Sequence, residues 1–155
     1  MSRLPSPSGS SLSRKLRKSL RPAVTWRTVA AWIETEGSID STINRQRRRA
    51  HGQLSPYVNR SIRIIQKDRE PLDKLSRFLR SQGIRSSVHL VKPSKTSFRR
   101  KPYFRLDITG LKDMDHVIRR CSPYFIARKA TQQVDRYWHY RHATAEELRR
   151  ELRGC

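Results

Sequence analysis

Acidic residues are what this sequence has least of. Asp and Glu number 13 against 35 Lys and Arg, for a formal charge of +22, and no acid occurs before Glu34. A small domain with that much charge of one sign repels itself, so a polyanionic partner is expected. Most of the cations are arginines, whose planar fork suits phosphate and guanine edges. They are spread over strand-like segments instead of one amphipathic helix, which favours nucleic acid over a membrane surface.

Cysteine is also scarce. Cys121 and Cys155 make neither a disulfide framework nor a zinc site, so a reducing compartment is expected. Long apolar runs are missing: none approaches the roughly 20 residues of a membrane helix. No membrane partner is therefore expected; no small-molecule substrate is expected either. His139 and His142 form an H-x-x-H without a carboxylate at metalloprotease spacing, which reads as a solvated helix face.

The length of 155 residues suits one domain. Residues 1–22, rich in Ser, Pro, Arg and Lys, read as a disordered basic arm. The arm resembles an organellar transit peptide in composition, while Arg14-Lys15-Leu16-Arg17-Lys18 suits a DNA-tracking tail equally well. The expected location is cytoplasmic, on the nucleoid, with an organelle as the alternative. The domain is placed at 23–142 and a C-terminal tail at 143–155.

The spacing predicts a first helix over 22–36, with Gly37 as its C′ stop. Trp26, Val29, Ala30 and Ile33 form a core face. Val24, Thr28, Ala31 and Thr35 form a second, small and uncharged face, so this helix packs against two things. Strands are expected over 39–46, 57–66, 86–91 and 102–109, with a basic connection over 45–56. Asp68 should cap a second helix with its face on Leu72, Leu75, Phe78 and Leu79, and Gly83 at its end. A third helix carries Leu111, Met114, Ile118 and Cys121 before Pro123. A last helix starts near Lys129 with Val134, Tyr137 and Trp138. This is an α+β domain of αββαββα order plus a C-terminal helix, built on an antiparallel sheet. One sheet face is apolar; the other carries Asn, Thr, Ser, Arg, Tyr and Gln, side chains that hydrogen-bond phosphates and base edges.

Glu34 and Glu36 occupy the last turn of the first helix. Acids are unfavourable there, because the carboxyl end of a helix carries partial negative charge. Neighbouring arginines are expected to neutralise Glu34. Glu36 is the candidate functional acid.

The string Val29-Ala30-Ala31-Trp32-Ile33-Glu34-Thr35-Glu36-Gly37-Ser38 resembles the LAGLIDADG motif of homing endonucleases. The resemblance extends to Gln66-Lys67-Asp68, Leu72-Asp73-Lys74-Leu75, Tyr103-Phe104-Arg105-Leu106-Asp107-Ile108 and Pro123-Tyr124-Phe125-Ile126 followed by Arg128-Lys129 and Gln132. It covers most of residues 24–140. Both motif aspartates are Glu here, and the usual Gly at the third position is Ala31.

The resemblance implies a saddle-shaped antiparallel sheet on DNA, with helices on the opposite face. With one motif per chain, it implies a homodimer joined through Thr28, Ala31 and Thr35. The two Glu36 carboxylates would then meet above the minor groove, where divalent cations must separate them. Mg²⁺ (or Mn²⁺) would be held by Glu36, the Thr35 carbonyl and scissile phosphates. Gln66 matches a family glutamine, Arg69 is a looser match, and either Arg128 or Lys129 matches a basic active-site residue. Plain phosphate contact is an equal reading for these cations. Asp40, Thr42, Asn44, Gln46, Asn59, Ser61, Arg63, Arg105 and Asp107 would read bases. The implied function is site-specific double-strand cleavage across the minor groove of a long pseudo-palindromic site by an intron-encoded enzyme. The alternatives are an intron RNA maturase or a DNA-binding protein that does not cut.

Overall fold

In the computed structural model, residues 23–47 and 54–154 are described, with backbone alone at 45–47, 54 and 55. The expected basic arm, the side chain of Gln46 and Cys155 lie outside the described residues.

Thr25 starts the first helix. Its hydroxyl accepts the Thr28 N–H, and the Thr28 hydroxyl accepts the Thr25 N–H, each at 3.3 Å. Two of the helix's orphan donors are satisfied this way, and α1 runs Trp26–Glu36, starting later than the expected Pro22. Gly37 ends it in extended geometry (φ −138°, ψ −172°), so the expected left-handed stop does not form. The chain passes directly into β1 (Gly37–Arg47), which pairs antiparallel with β2 (Leu54–Gln66). The pairing includes Arg45 opposite Pro56, so part of the expected connection is strand. There β2 has passed beyond β4 and, among the described residues, pairs with β1 alone, where a proline is tolerated.

The helix α2 (Arg69–Ser81) follows, then β3 (Ser87–Val91), β4 (Tyr103–Ile108) and α3 (Leu111–Cys121). A 3₁₀ turn (Ser122–Tyr124) leads to α4 (Arg128–His142). Asp68 takes the N-cap position of α2 without a side-chain cap bond, and Gly83 has φ +78°. The sheet order is β1-β2-β4-β3, antiparallel throughout. The α+β class and the αββαββα order are those expected.

The core lies between one sheet face and the helices. Ile39, Ile62, Ile64, Leu106 and Ile108 meet Trp26, Val29, Ala30 and Ile33 of α1, Leu72, Leu75 and Leu79 of α2, and Met114, Ile118 and Cys121 of α3. Each buried aliphatic side chain contributes about 1.5–3 kcal/mol. Leu111, expected on that face, opens α3 and is exposed. Val117 takes a core place instead. Burial pushes the Cys121 thiol up to about 12, which leaves it inert as a thiolate.

Among the described residues, Asp115 is a charged residue buried beside the core. Asp115 accepts the Tyr137 hydroxyl at 2.5 Å and the Arg141 guanidinium at 3.1–3.3 Å, tying α3 to α4. Burial raises its carboxyl, but the bonds from Arg141 and Tyr137 outweigh that and hold it below the usual range. Two further ties fasten α4 to the sheet. Gln133 Oε1 accepts the Ile39 N–H at 3.0 Å, and Arg60 donates to the Tyr140 carbonyl at 3.1 Å.

The expected tail at 143–155 is instead a helix, α5 (Ala145–Arg153). Thr144 and Glu147 form its capping box, acids fill its first turn, arginines fill its last, and Leu148 is buried. It packs against β1 and β2.

Candidate active site and nucleic-acid interface

The last turn of α1 places two carboxylates in different circumstances. Glu34 Oε1 accepts the backbone N–H groups of Ile126 and Ala127 at 2.5 and 3.1 Å. Backbone amides, and not the expected arginines, compensate it. Ala127 is the N-cap residue of α4 and has no side-chain acceptor of its own, so Glu34 supplies the cap and complements that helix's positive end. Glu36 is exposed and, among the described residues, makes no hydrogen bond or ion pair.

Gly37 brings this turn hard against β2. A Cβ there would stand 2.5 Å from the Arg63 carbonyl oxygen. Gly37 pairs with Ile64, and Gln66 lies one strand repeat further, half-buried and opposite Phe104. Alternation puts Gln66 on the helix side of the sheet. Arg69 opens α2 just beyond, exposed, with Nε 3.3 Å from Asp73. Arg128 and Lys129 are the first residues of α4 and exposed; the Glu34 cap sets them beside the end of α1. The end of α1, the end of β2 and the starts of α2 and α4 therefore collect at one end of the sheet.

Val24, expected on the second face of α1, packs against the core, and the rest of that face is open. Ala31 and Thr35 are exposed and Thr28 is half-buried. The Thr35 hydroxyl donates to the Ala31 carbonyl at 2.8 Å, and the Thr28 hydroxyl is engaged by Thr25. With both hydroxyls turned to local partners, the ridge presents methyl groups.

On the outer sheet face the register sets Asp40 opposite Ser61, Thr42 opposite Asn59, and Arg63 between Ser38 and Asp107. Thr42, Asn44 and Asn59 are exposed. Ser61 is buried and accepts Arg63 Nε at 3.1 Å. Arg63 Nε also lies 3.7 Å from Asp40, which accepts the Ser38 hydroxyl at 2.9 Å. Arg105 donates to Asp107 at 3.0 Å, and His89 lies 3.3 Å from the same oxygen. Ser61 thus fixes Arg63 Nε, with Asp40 beside it, and Asp107 fixes Arg105 Nε. His89 and Ser38 carry no signal in the sequence beyond alternation, and Gln133 carries none.

His139 pairs with Glu151 of α5, and His142 stacks on Trp138, so neither is simply solvated. Among the described residues no group of three or more His, Cys, Asp or Glu could hold a metal ion. No described helix is long and apolar enough to cross a membrane.

No family model matches the chain, and no curated protein does. Solved structures do. The chain is 17% identical to the meganuclease I-SmaMI bound to uncleaveable DNA, with a TM-score of 0.58, covering 90% of this chain and 50% of that one. To the LAGLIDADG homing endonuclease I-LtrWI bound to target DNA it is 17% identical, with a TM-score of 0.56, covering 90% and 49%. To the archaeal intron-encoded homing endonuclease I-Vdi141I complexed with DNA it is 20% identical, with a TM-score of 0.50, covering 72% and 63%. The chain has the fold of the LAGLIDADG homing endonucleases. It spans about half the length of I-SmaMI and I-LtrWI and 63% of I-Vdi141I.

Proposed function

We propose that this chain is a site-specific endonuclease for double-stranded DNA, acting as a two-fold symmetric homodimer. The observation that carries the reading is the contrast between Glu34, committed to two backbone amides, and Glu36, exposed with no partner among the described residues. A lone carboxylate at the negative end of a helix is unfavourable unless a cation faces it. Its oxygens, and the Thr35 carbonyl left without an intrahelical donor, are hard ligands that suit Mg²⁺ or Mn²⁺. In a two-fold pair, the second copy's Glu36 and DNA phosphates would complete such a ligand set.

When bound, the metal supplies Lewis-acid activation of the phosphoryl group and of water. The chain's own residues do the rest. Gln66 orients water, Arg69 faces phosphate, and Arg128 or Lys129 offsets phosphate charge next to Glu36. Thr42, Asn44, Asn59 and Arg63 read base edges from the outer sheet face, with Ser61 and Asp107 fixing the arginines and Asp40 beside Arg63. Ser61 acts through Arg63. The methyl-lined ridge of Ala31 and Thr35 is the surface through which a second copy joins. The match to half the length of I-SmaMI and I-LtrWI supports that arrangement.

The test is a plasmid library bearing randomised sites. Wild type with Mg²⁺ should linearise members that share one long pseudo-palindrome, and EDTA should stop it. Ca²⁺ should support binding without turnover. Glu36→Gln should bind DNA but not cut it. Tight binding with no cutting in Mg²⁺ or Mn²⁺ would sink cleavage and leave a DNA-binding or RNA-binding role.

A further inference from the structure

Phe98, with 105% relative exposure, stands fully in solvent. It sits on the β3–β4 connection, residues 92–102, which carries Lys92, Lys95, Arg99, Arg100 and Lys101 and no acid. The strap is shaped from within. Ser97 N–H donates to the Ser94 carbonyl at 3.0 Å, the Ser94 and Thr96 hydroxyls are 3.2 Å apart, and the Ser97 hydroxyl accepts the Arg99 N–H at 3.2 Å. Phe98 is therefore held between a closed turn and a fixed backbone amide, presented instead of stowed.

Its surroundings favour a nucleic-acid partner. The Arg99 guanidinium lies 5.0 Å over the Tyr103 ring. Tyr103 alternates with Arg105 and Asp107 on the outer sheet face. A cleft of about 730 Å³ is lined by Phe98, Tyr103 and the cations Lys67, Arg99, Arg100 and Lys101, with Asp68 its single acid. Aromatic rings interleaved with cations match a nucleic-acid strand, in which base faces alternate with phosphates. An anionic lipid surface would also accept a Phe among cations. The continuity of the strap with the outer sheet face, through Tyr103, favours bases.

We infer that this strap is a DNA clamp in which Phe98 stacks on an unstacked base while Lys67, Arg99, Arg100 and Lys101 hold the flanking phosphates. The inference rests on the DNA reading above and adds a contact that is not electrostatic. A wedge of this type levers a base step apart and bends the duplex, and it tolerates sequence because every base has a π-face.

The test uses the full chain, a short duplex of random sequence carrying 2-aminopurine, and a salt series. Phe98→Ala should weaken binding by about 5- to 100-fold at every salt concentration, giving a parallel line of log affinity against log salt. It should also abolish the brightening of 2-aminopurine, and Phe98→Trp should restore the affinity. Arg100→Ala should instead make the salt slope shallower by about one unit. If Phe98→Ala binds and brightens like wild type, the clamp is wrong while the DNA reading stands. If wild type does not bind duplex at all, both fall. Loss of binding to phosphatidylserine vesicles in Phe98→Ala, with duplex binding unchanged, assigns the ring to lipid and overturns the clamp.

Discussion

Glu34 caps the helix that begins after Ala127, accepting its N–H at 3.1 Å across 93 residues of chain. The motif's first acid thus ties the end of α1 to the start of α4. Glu34→Ala should lower the unfolding free energy by about 1 kcal/mol, since it removes a charged acceptor from the half-buried Ala127 N–H and leaves the exposed Ile126 N–H to water. Glu34→Gln, which keeps one carbonyl, should lose less. Urea titration of the three proteins gives the order, and equal stabilities would refute the cap.

Gly37 needs no left-handed backbone; it needs the absence of a Cβ. Gly37→Ala should cost about 1–3 kcal/mol, because the Arg63 carbonyl against it belongs to a paired strand that yields little. Gly83 is the opposite case, with φ +78° and nothing within 4 Å of an added Cβ. There Asn should be tolerated better than Ala, because Asn accepts the left-handed region more readily. Thermal unfolding distinguishes the two glycines.

Asp115 should make stability fall in acid. Its folded carboxyl lies below the usual range, so its contribution is full above the unfolded value of about 3.9 and is lost as pH falls through the lower folded value. Asp115→Asn should cost about 2 kcal/mol near neutrality and flatten that acid limb. An unchanged acid limb in the variant would assign it to other carboxylates.

The ridge on α1 should govern assembly. Ala31→Arg or Thr35→Arg should sediment as a folded monomer that binds DNA weakly and does not cut. A variant that still sediments as a dimer would put the interface on another face.

Periodicity made much of this fold legible. Trp26, Val29, Ala30 and Ile33 all lie in the core, and the strand alternation sorts Ile62 and Ile64 inward from Asn59 and Arg63. What local pattern cannot show is who answers a polar group from far along the chain. Glu34 looks like a partner for arginine until the fold brings two amides to it. Ser61 alternates outward, yet Arg63 covers it. The helix α5 was readable, since Thr144 and Glu147 stand at capping-box spacing before Leu148; its charged composition disguised it as tail. Glu36 stood out because it breaks the helix-dipole rule, and the fold leaves that breach without a partner among the described residues.

The Gln133 amide on Ile39 has a consequence for how copies of this chain can meet. The strand β1 is eleven residues long and lies at the border of the sheet, and an open border of that length is a template on which a stray chain can grow a ladder. Gln133 occupies the donor of Ile39 and so plugs that border where β1 begins, close to the motif turn. A sheet running continuously from one molecule into the next is thereby disfavoured at this point, and aggregation by strand addition should become easier in Gln133→Ala than in the parent protein.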